Sequence, residues 1–177
     1  MTTAFVQRLR RFRRDESAAT AVEFAILFAP LVFLILASLQ LSLIFFAGQC
    51  LQSAAMSSGR QLMTGSAQQA GLTQAQFKTK VCSNAPAMFN CNGIMVDVES
   101  GTTFSGTSTS APAVTYDAAG NVTNSWTYST GGPGDIVVLH VMYNWPVVAA
   151  PLLPGLANQS NGDHLLVATS VFKIEPY

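Results

Sequence analysis

From Phe24 to Gly59 the chain has no charged residue. Phe24 to Ala47 is apolar on every side: of 24 residues, 16 are Phe, Ile, Leu or Val and four are Ala, leaving only Pro30, Ser38, Gln40 and Ser42. About 20 helical residues cross a hydrocarbon slab of ~30 Å. At roughly −0.3 to −0.6 kcal/mol each, the large side chains favour insertion by roughly 5 to 10 kcal/mol. Three polar residues and a proline do not reverse that. The run predicts a transmembrane helix. A buried helix of a soluble protein would show a polar stripe. A cleaved secretory signal has an apolar region of only ~7–15 residues.

Past Ala47 the pattern changes but stays helical. Leu51, Ala54, Ala55, Ser58 and Leu62 recur at spacings of three and four. This weakly amphipathic stretch reads either as a surface of small residues that another helix can approach or as a solvated stem. Gly65 is the expected stop. Thr73-Gln74-Ala75-Gln76 reads as a capping box opening a short helix to about Val81. Ile94 to Glu99 alternates as a half-buried strand. Between residues 100 and 132, 19 of 33 are Ser, Thr or Gly. Within them, 100–111 reads as a loop. Residues 112–129 read as a hairpin turning at Asp117-Ala118-Ala119-Gly120-Asn121. Gly131-Gly132-Pro133-Gly134-Asp135 is strong punctuation. Ile136 to Trp145 is then the clearest strand, ended by Pro146. Pro151 and Pro154 bracket a loop, 155–163 is polar, and Leu165 to Ile174 reads as the last strand. One long helix followed by antiparallel strands makes an α+β fold.

Composition and charge sharpen this picture. The chain has 177 residues, 49% hydrophobic and only 10% charged, against ~25% charged for an average soluble protein. Low charge with high apolarity excludes general disorder. Nine basic residues offset nine acidic ones, but unevenly. Residues 1–23 carry Arg8, Arg10, Arg11, Arg13 and Arg14 against Asp15, Glu16 and Glu23, whereas residues 60–177 hold four bases and six acids. The positive-inside rule puts the N-terminus in the cytoplasm and the remainder outside. The arginines are thereby explained as a topology signal, without nucleic acid.

In an oxidising space, Cys82 and Cys91 are expected to form a disulfide. The metal alternative would recruit His140 and His164, whose spacing matches no zinc pattern. Cys50 reads as a free thiol at the lipid edge. No chemistry-bearing constellation occurs: no G-x-S-x-G, H-E-x-x-H, P-loop or dinucleotide motif. His140 reads as an edge or core residue and His164 as solvent-facing. Asp97 and Glu99 share a strand face that reads as solvated. Asn121-Val122-Thr123 and Asn158-Gln159-Ser160 match the glycosylation pattern only as chance would supply it. Neither an enzyme, a cofactor, a metal nor a small-molecule substrate is expected.

The junction before the apolar run reads Ser17-Ala18-Ala19-Thr20-Ala21-Val22-Glu23-Phe24-Ala25. This resembles the entry to TadE/TadG-like pseudopilins of the tight-adherence (Tad/Flp) type IV pilus system of bacteria. Their pattern is a basic arm, small residues, V-E-F-A and an apolar run with an early proline, here Pro30. Ser58-Gly59-Arg60 through Gly65 resembles the family's post-membrane segment. Gly134 to Val138, continuing to Pro146, is similar to its penultimate strand. Val171 to Tyr177 is similar to its closing strand. The resemblance implies peptidase processing between Ala18 and Ala19, with Ala18 where the family commonly has Gly. It also implies that Glu23 sets helix register by pairing with the amine that cleavage exposes, because an intramembrane carboxylate is costly unless paired.

The expected organisation is a basic cytoplasmic arm or leader (1–18), a transmembrane helix with its extension (19–65) and an extracytoplasmic α+β head (66–177), pilin-like in architecture. The expected role is that of a minor pilin-like subunit of the bacterial inner membrane. It would act by helix–helix association in lipid and by head contacts. Its partners would be the major pilin, other pseudopilins, the assembly platform and the prepilin peptidase. The rival reading is a membrane-tethered binding or adhesin module of another system.

Overall fold

A computed structural model describes residues 16–148 and 155–177. The arginine arm, Arg8 to Arg14, and the loop bracketed by Pro151 and Pro154 lie outside the described residues. Helix α1 runs Glu16–Met63, with Pro30 inside it. The chain divides into two compact units, residues 1–41 and 42–177.

In the first unit, α1 buries almost nothing. Phe24, Ile26, Leu27, Phe28, Leu31 and Leu34 are all exposed. The rings of Phe24 and Phe28 stack at 5.2 Å, one turn apart.

The second unit begins at Ser42, so the last turns of α1 belong with the elements that follow. These are α2 (Ser66–Gln69), α3 (Gln74–Asn84) and the strands β1 (Met95–Gly101), β2 (Ile136–Trp145) and β3 (His164–Lys173). The fold is α+β. Short 3₁₀ turns occupy Cys91–Gly93 and Phe104–Gly106. The sheet is antiparallel in the order β1-β2-β3. Helix α1 stops where Gly65 turns left-handed at φ 72°. The Glu175 amide then donates to the Met63 carbonyl at 2.9 Å. The capping box opening α3 is complete. The Thr73 hydroxyl accepts from the Gln76 amide at 3.3 Å, and Gln76 Oε1 accepts from the Thr73 amide at 2.9 Å.

Leu51, Ala54, Ala55, Ser58 and Leu62 are buried, so this face is not a solvated stem. Nor is it left for another helix: it packs on one face of the chain's own sheet. Leu51, Ala55 and Leu62 join Val96, Val98, Val137, Leu139, Val141, Leu166 and Ala168 in a single core with Phe77 and Val81 of α3. Each large apolar side chain buried this way contributes about 1.5–3 kcal/mol. Gly59 is the point of closest approach. A Cβ there would lie 3.1 Å from the Phe172 ring and 3.5 Å from Leu139.

The opposite sheet face is covered as well. Met95, Asp97, Val138, His140 and Met142 are buried there. Thr107 packs against Gly101, and the Tyr116 hydroxyl donates to Asn144 Oδ1 at 3.0 Å. The intervening segment thus runs between opposite ends of that face. The expected hairpin over 112–129 contracts to its tip, a single bridge between Tyr116 and Val122. Asp117 organises this tip, accepting from the amides of Ala119 and Asn121 at 2.9 and 2.8 Å. These Ser/Thr-rich stretches lack an apolar face to hold a longer ladder. The chain beyond the tip instead runs parallel to β1, bridging Tyr128 to Val98.

The outer edges of the sheet are met by side-chain amides. Gln52 donates to the Thr169 carbonyl at 3.0 Å and accepts from its amide at 3.2 Å. Asn158 Oδ1 accepts from the Leu165 amide at 2.7 Å. On the β1 side, Gln74 Nε2 donates to the Val96 carbonyl at 3.1 Å. The Val98 amide and carbonyl bond Thr127 and Ser129. Exposed edges invite unwanted pairing, and here polar side chains occupy part of each.

Candidate functional site

The first candidate site is α1 itself. Thr20–Met63 is one helix long and apolar enough to cross a membrane, with a mean hydropathy of 2.5 over its most apolar stretch. Ala18 and Ala19 lie in the first turns of α1, and Glu23 follows one turn after Ala19. Glu23 is exposed. Pro30 gives up its backbone donor inside the helix, and the helix continues past it. Ser38 returns its hydroxyl to the Leu34 carbonyl at 2.8 Å, so it presents no unmet donor to lipid. Towards the end of the apolar run the helix becomes two-faced. Ile44 and Ala47 are buried in the second unit, while Leu43, Phe45 and Phe46 stay exposed.

The second group of candidates surrounds the cysteines. Cys82 and Cys91 are joined by a disulfide, with Cα atoms 5.5 Å apart. It ties the end of α3 to the turn before β1. The closed loop docks through Phe89, whose ring meets Tyr143 edge-on at 5.1 Å and Trp145 at 6.0 Å. Cys50 is free. It is half-buried against the core of the second unit.

The third group is a polar row across the covered sheet face. Asp97 of β1, His140 of β2 and Thr169 of β3 are register partners. Asp97 is 3% exposed and His140 1%, which corrects the solvated face expected for Asp97. Asp97 Oδ1 accepts from the Thr127 amide at 2.7 Å, while Oδ2 has no partner. His140 Nδ1 lies 3.0 Å from the Thr169 hydroxyl. Burial lowers the His140 pKa, with Asp97 and Glu99 opposing. His140 is thus a core residue of the central strand. His164 opens β3, and its Nδ1 lies 2.6 Å from the Leu156 carbonyl; it is half-buried rather than solvent-facing. Asp97 and His140 are buried, and Thr169 closes the row at a part-exposed position. Among the described residues, no three His, Cys, Asp or Glu are grouped to hold a metal ion.

Residues 18–60 match the family model described as TadE-like protein. The likeness is confined to that stretch. No curated protein and no solved structure matches the chain. The TadE-like segment begins at Ala18, contains Glu23 and the whole apolar run, and ends at Arg60. Among the described residues one helix is long and apolar enough to cross a membrane, and it lies near the N-terminus; the matched segment contains its apolar run. The match also takes in Leu51, Ala55 and Ser58, the face that packs on the sheet.

Sequence reasoning missed Gln52 and Asp97. Gln52 lies on the same helix as the lipid-facing run, and a lone glutamine carries no pattern. Asp97 reads as exposed because alternation alone cannot report a loop crossing the second face.

Proposed function

We propose that this TadE-like protein is a minor, non-enzymatic, pilin-like subunit of a bacterial Tad/Flp-type pilus system used in adherence. Its N-terminus lies in the cytoplasm and the unit from Ser42 onward faces the extracytoplasmic side of the inner membrane. The helix associates with the helices of the major pilin and other pseudopilins in lipid. The head contributes contacts to them and to the assembly platform. The prepilin peptidase cuts between Ala18 and Ala19, and Glu23 then pairs with the new amine and sets helix register. The observation that carries this reading is the TadE-like match, which falls on an all-round apolar helix with one carboxylate near its start. A mere tether has no use for that carboxylate, because an unpaired charge opposes insertion.

The test is Glu23→Ala, introduced into the native host and scored for surface pili and attachment. Loss of both with normal membrane levels of the protein is the expected result. Unchanged pili and attachment would favour a tethered binding module of another system. Intact mass of the membrane-extracted protein reads the Ala18–Ala19 cut directly.

A further inference from the structure

The second unit contains a cleft of about 640 Å³ between α3, the turn at Asn92 and the segment 120–126. Its origin is a single side chain. The segment beyond the Asp117 turn pairs with β1 at Val98, but one step back the Gln74 amide stands between them. It donates to the carbonyls of Val96 and Trp126 at 3.1 and 3.2 Å. Beyond Gln74 the two stretches are no longer paired and the cleft opens, floored by buried Ile94 and Val96.

The lining has a definite chemistry. Trp126 and Val122 supply apolar surface, Asn92 and Asn121 supply side-chain amides, and Lys78 is the one charged residue. Among the described residues no carboxylate lines the cleft; Asp117 is engaged by Ala119 and Asn121 within its own turn. Lys78 Nζ donates to the Asn92 carbonyl at 3.0 Å, which uses one of three ammonium donors. Burial lowers its pKa by disfavouring the charged form. A second cavity, of about 430 Å³, shares Ala75, Lys78 and Asn92 with the first. The trough therefore continues past Lys78 to the Cys82–Cys91 disulfide.

We propose that this trough binds an acidic saccharide, a short glycan bearing a carboxylate. The apolar face of one sugar ring lies against Trp126, hydroxyls bond the side-chain amide of Asn92 and donate to Asn121 Oδ1, and the carboxylate meets Lys78. An extended peptide fits less well. On β1 the Ile94 amide is taken by the Cys91 carbonyl, the Val96 carbonyl by Gln74, and the Val98 amide and carbonyl by Thr127 and Ser129, which shortens the main-chain ladder that strand addition needs. The site is separate from α1 and does not depend on the pilus reading.

The test is calorimetric titration of the full chain in detergent micelles with trigalacturonic acid, with maltotriose as the neutral trisaccharide and tetraglutamate as the acidic peptide. Trigalacturonate is expected to bind most tightly of the three. Lys78→Gln should weaken it about tenfold, the loss of one charge-assisted hydrogen bond, and leave maltotriose unchanged. Asn92→Asp, at an exposed position, should also weaken trigalacturonate by placing a like charge in the trough; it guards against a folding defect in the lysine variant. Tighter binding of tetraglutamate or maltotriose, no binding of trigalacturonate at millimolar concentration, or wild-type affinity in both variants would each overturn the proposal.

Discussion

Gln52 of α1 and Thr169 of β3 exchange two hydrogen bonds, amide group to peptide group, at 3.0 and 3.2 Å across 117 residues of sequence. A side chain here takes the place of a neighbouring strand. Gln52→Ala leaves the Thr169 amide and carbonyl part-buried without these partners. The expected loss is about 1–3 kcal/mol of stability, measured by denaturant unfolding of the full chain in detergent. Gln52→Glu should cost at least as much, because it sets a carboxylate against a carbonyl.

Two glycines on the same helix should behave in opposite ways. A Cβ at Gly59 would press on Phe172 at 3.1 Å, whereas one at Gly48 would meet Leu166 at an ordinary 3.9 Å. Gly48→Ala should stabilise by up to about 1 kcal/mol through helix propensity. Gly59→Val should destabilise by about 1–3 kcal/mol through overpacking. Thermal melts of the two variants against wild type check the contrast.

Gly65 faces two demands at once. Its φ is 72°, and a Cβ there would run into the Tyr177 ring. Gly65→Ala should cost at least the ~1–2 kcal/mol of a left-handed non-glycine residue. Adding Tyr177→Ala removes the collision and leaves the backbone strain. A double-mutant cycle on unfolding free energies separates the two contributions.

Stability should fall on mild acidification. His140 is buried, and burial lowers its pKa from the usual 6.5. The unfolded chain therefore takes up this proton at a higher pH than the folded one. The contribution of the neutral ring is complete above pH ~6.5 and declines as pH drops below it. Denaturant midpoints from pH 7.5 down to 5 should show this slope. His140→Gln, whose amide can still face the Thr169 hydroxyl, should flatten it. An unchanged slope in the variant would assign it to other groups.

The disulfide closes a short loop, with cysteines nine positions apart. Cys82→Ser with Cys91→Ser should cost about 2–3 kcal/mol in the chain-entropy picture, read as a lowered unfolding midpoint. Reduction of the wild type should reproduce the shift.

Much of this fold was legible because single segments carried complete signals. The run from Phe24 needs no tertiary context to read as a helix. Thr73 and Gln76 cap α3 by contacts within four residues. Ile136 to Trp145 is bounded by glycines and a proline, and it is the central strand. What stayed hidden depends on contacts far along the chain. The spacing of Leu51, Ala55 and Ser58 announces a buried face but not its cover, which comes from strands more than 30 residues away. Asp97 is buried beside a segment 30 residues further along, whose Thr127 amide bonds its carboxylate. The hairpin over 112–129 keeps only its tip, where the Thr123 amide bonds the Thr115 carbonyl and their hydroxyls meet, because the Ser/Thr-rich flanks lack an apolar face to hold a longer ladder.

The glutamine and asparagine side chains at the rim of the sheet leave a practical legacy. With Gln52 and Asn158 along β3 and Gln74 along β1, the head offers neighbouring molecules an interrupted ladder rather than a continuous one. Any filament that incorporates this chain draws its cohesion chiefly from helix surfaces or side-chain patches, and crowding many heads together carries less risk of cross-β seeding.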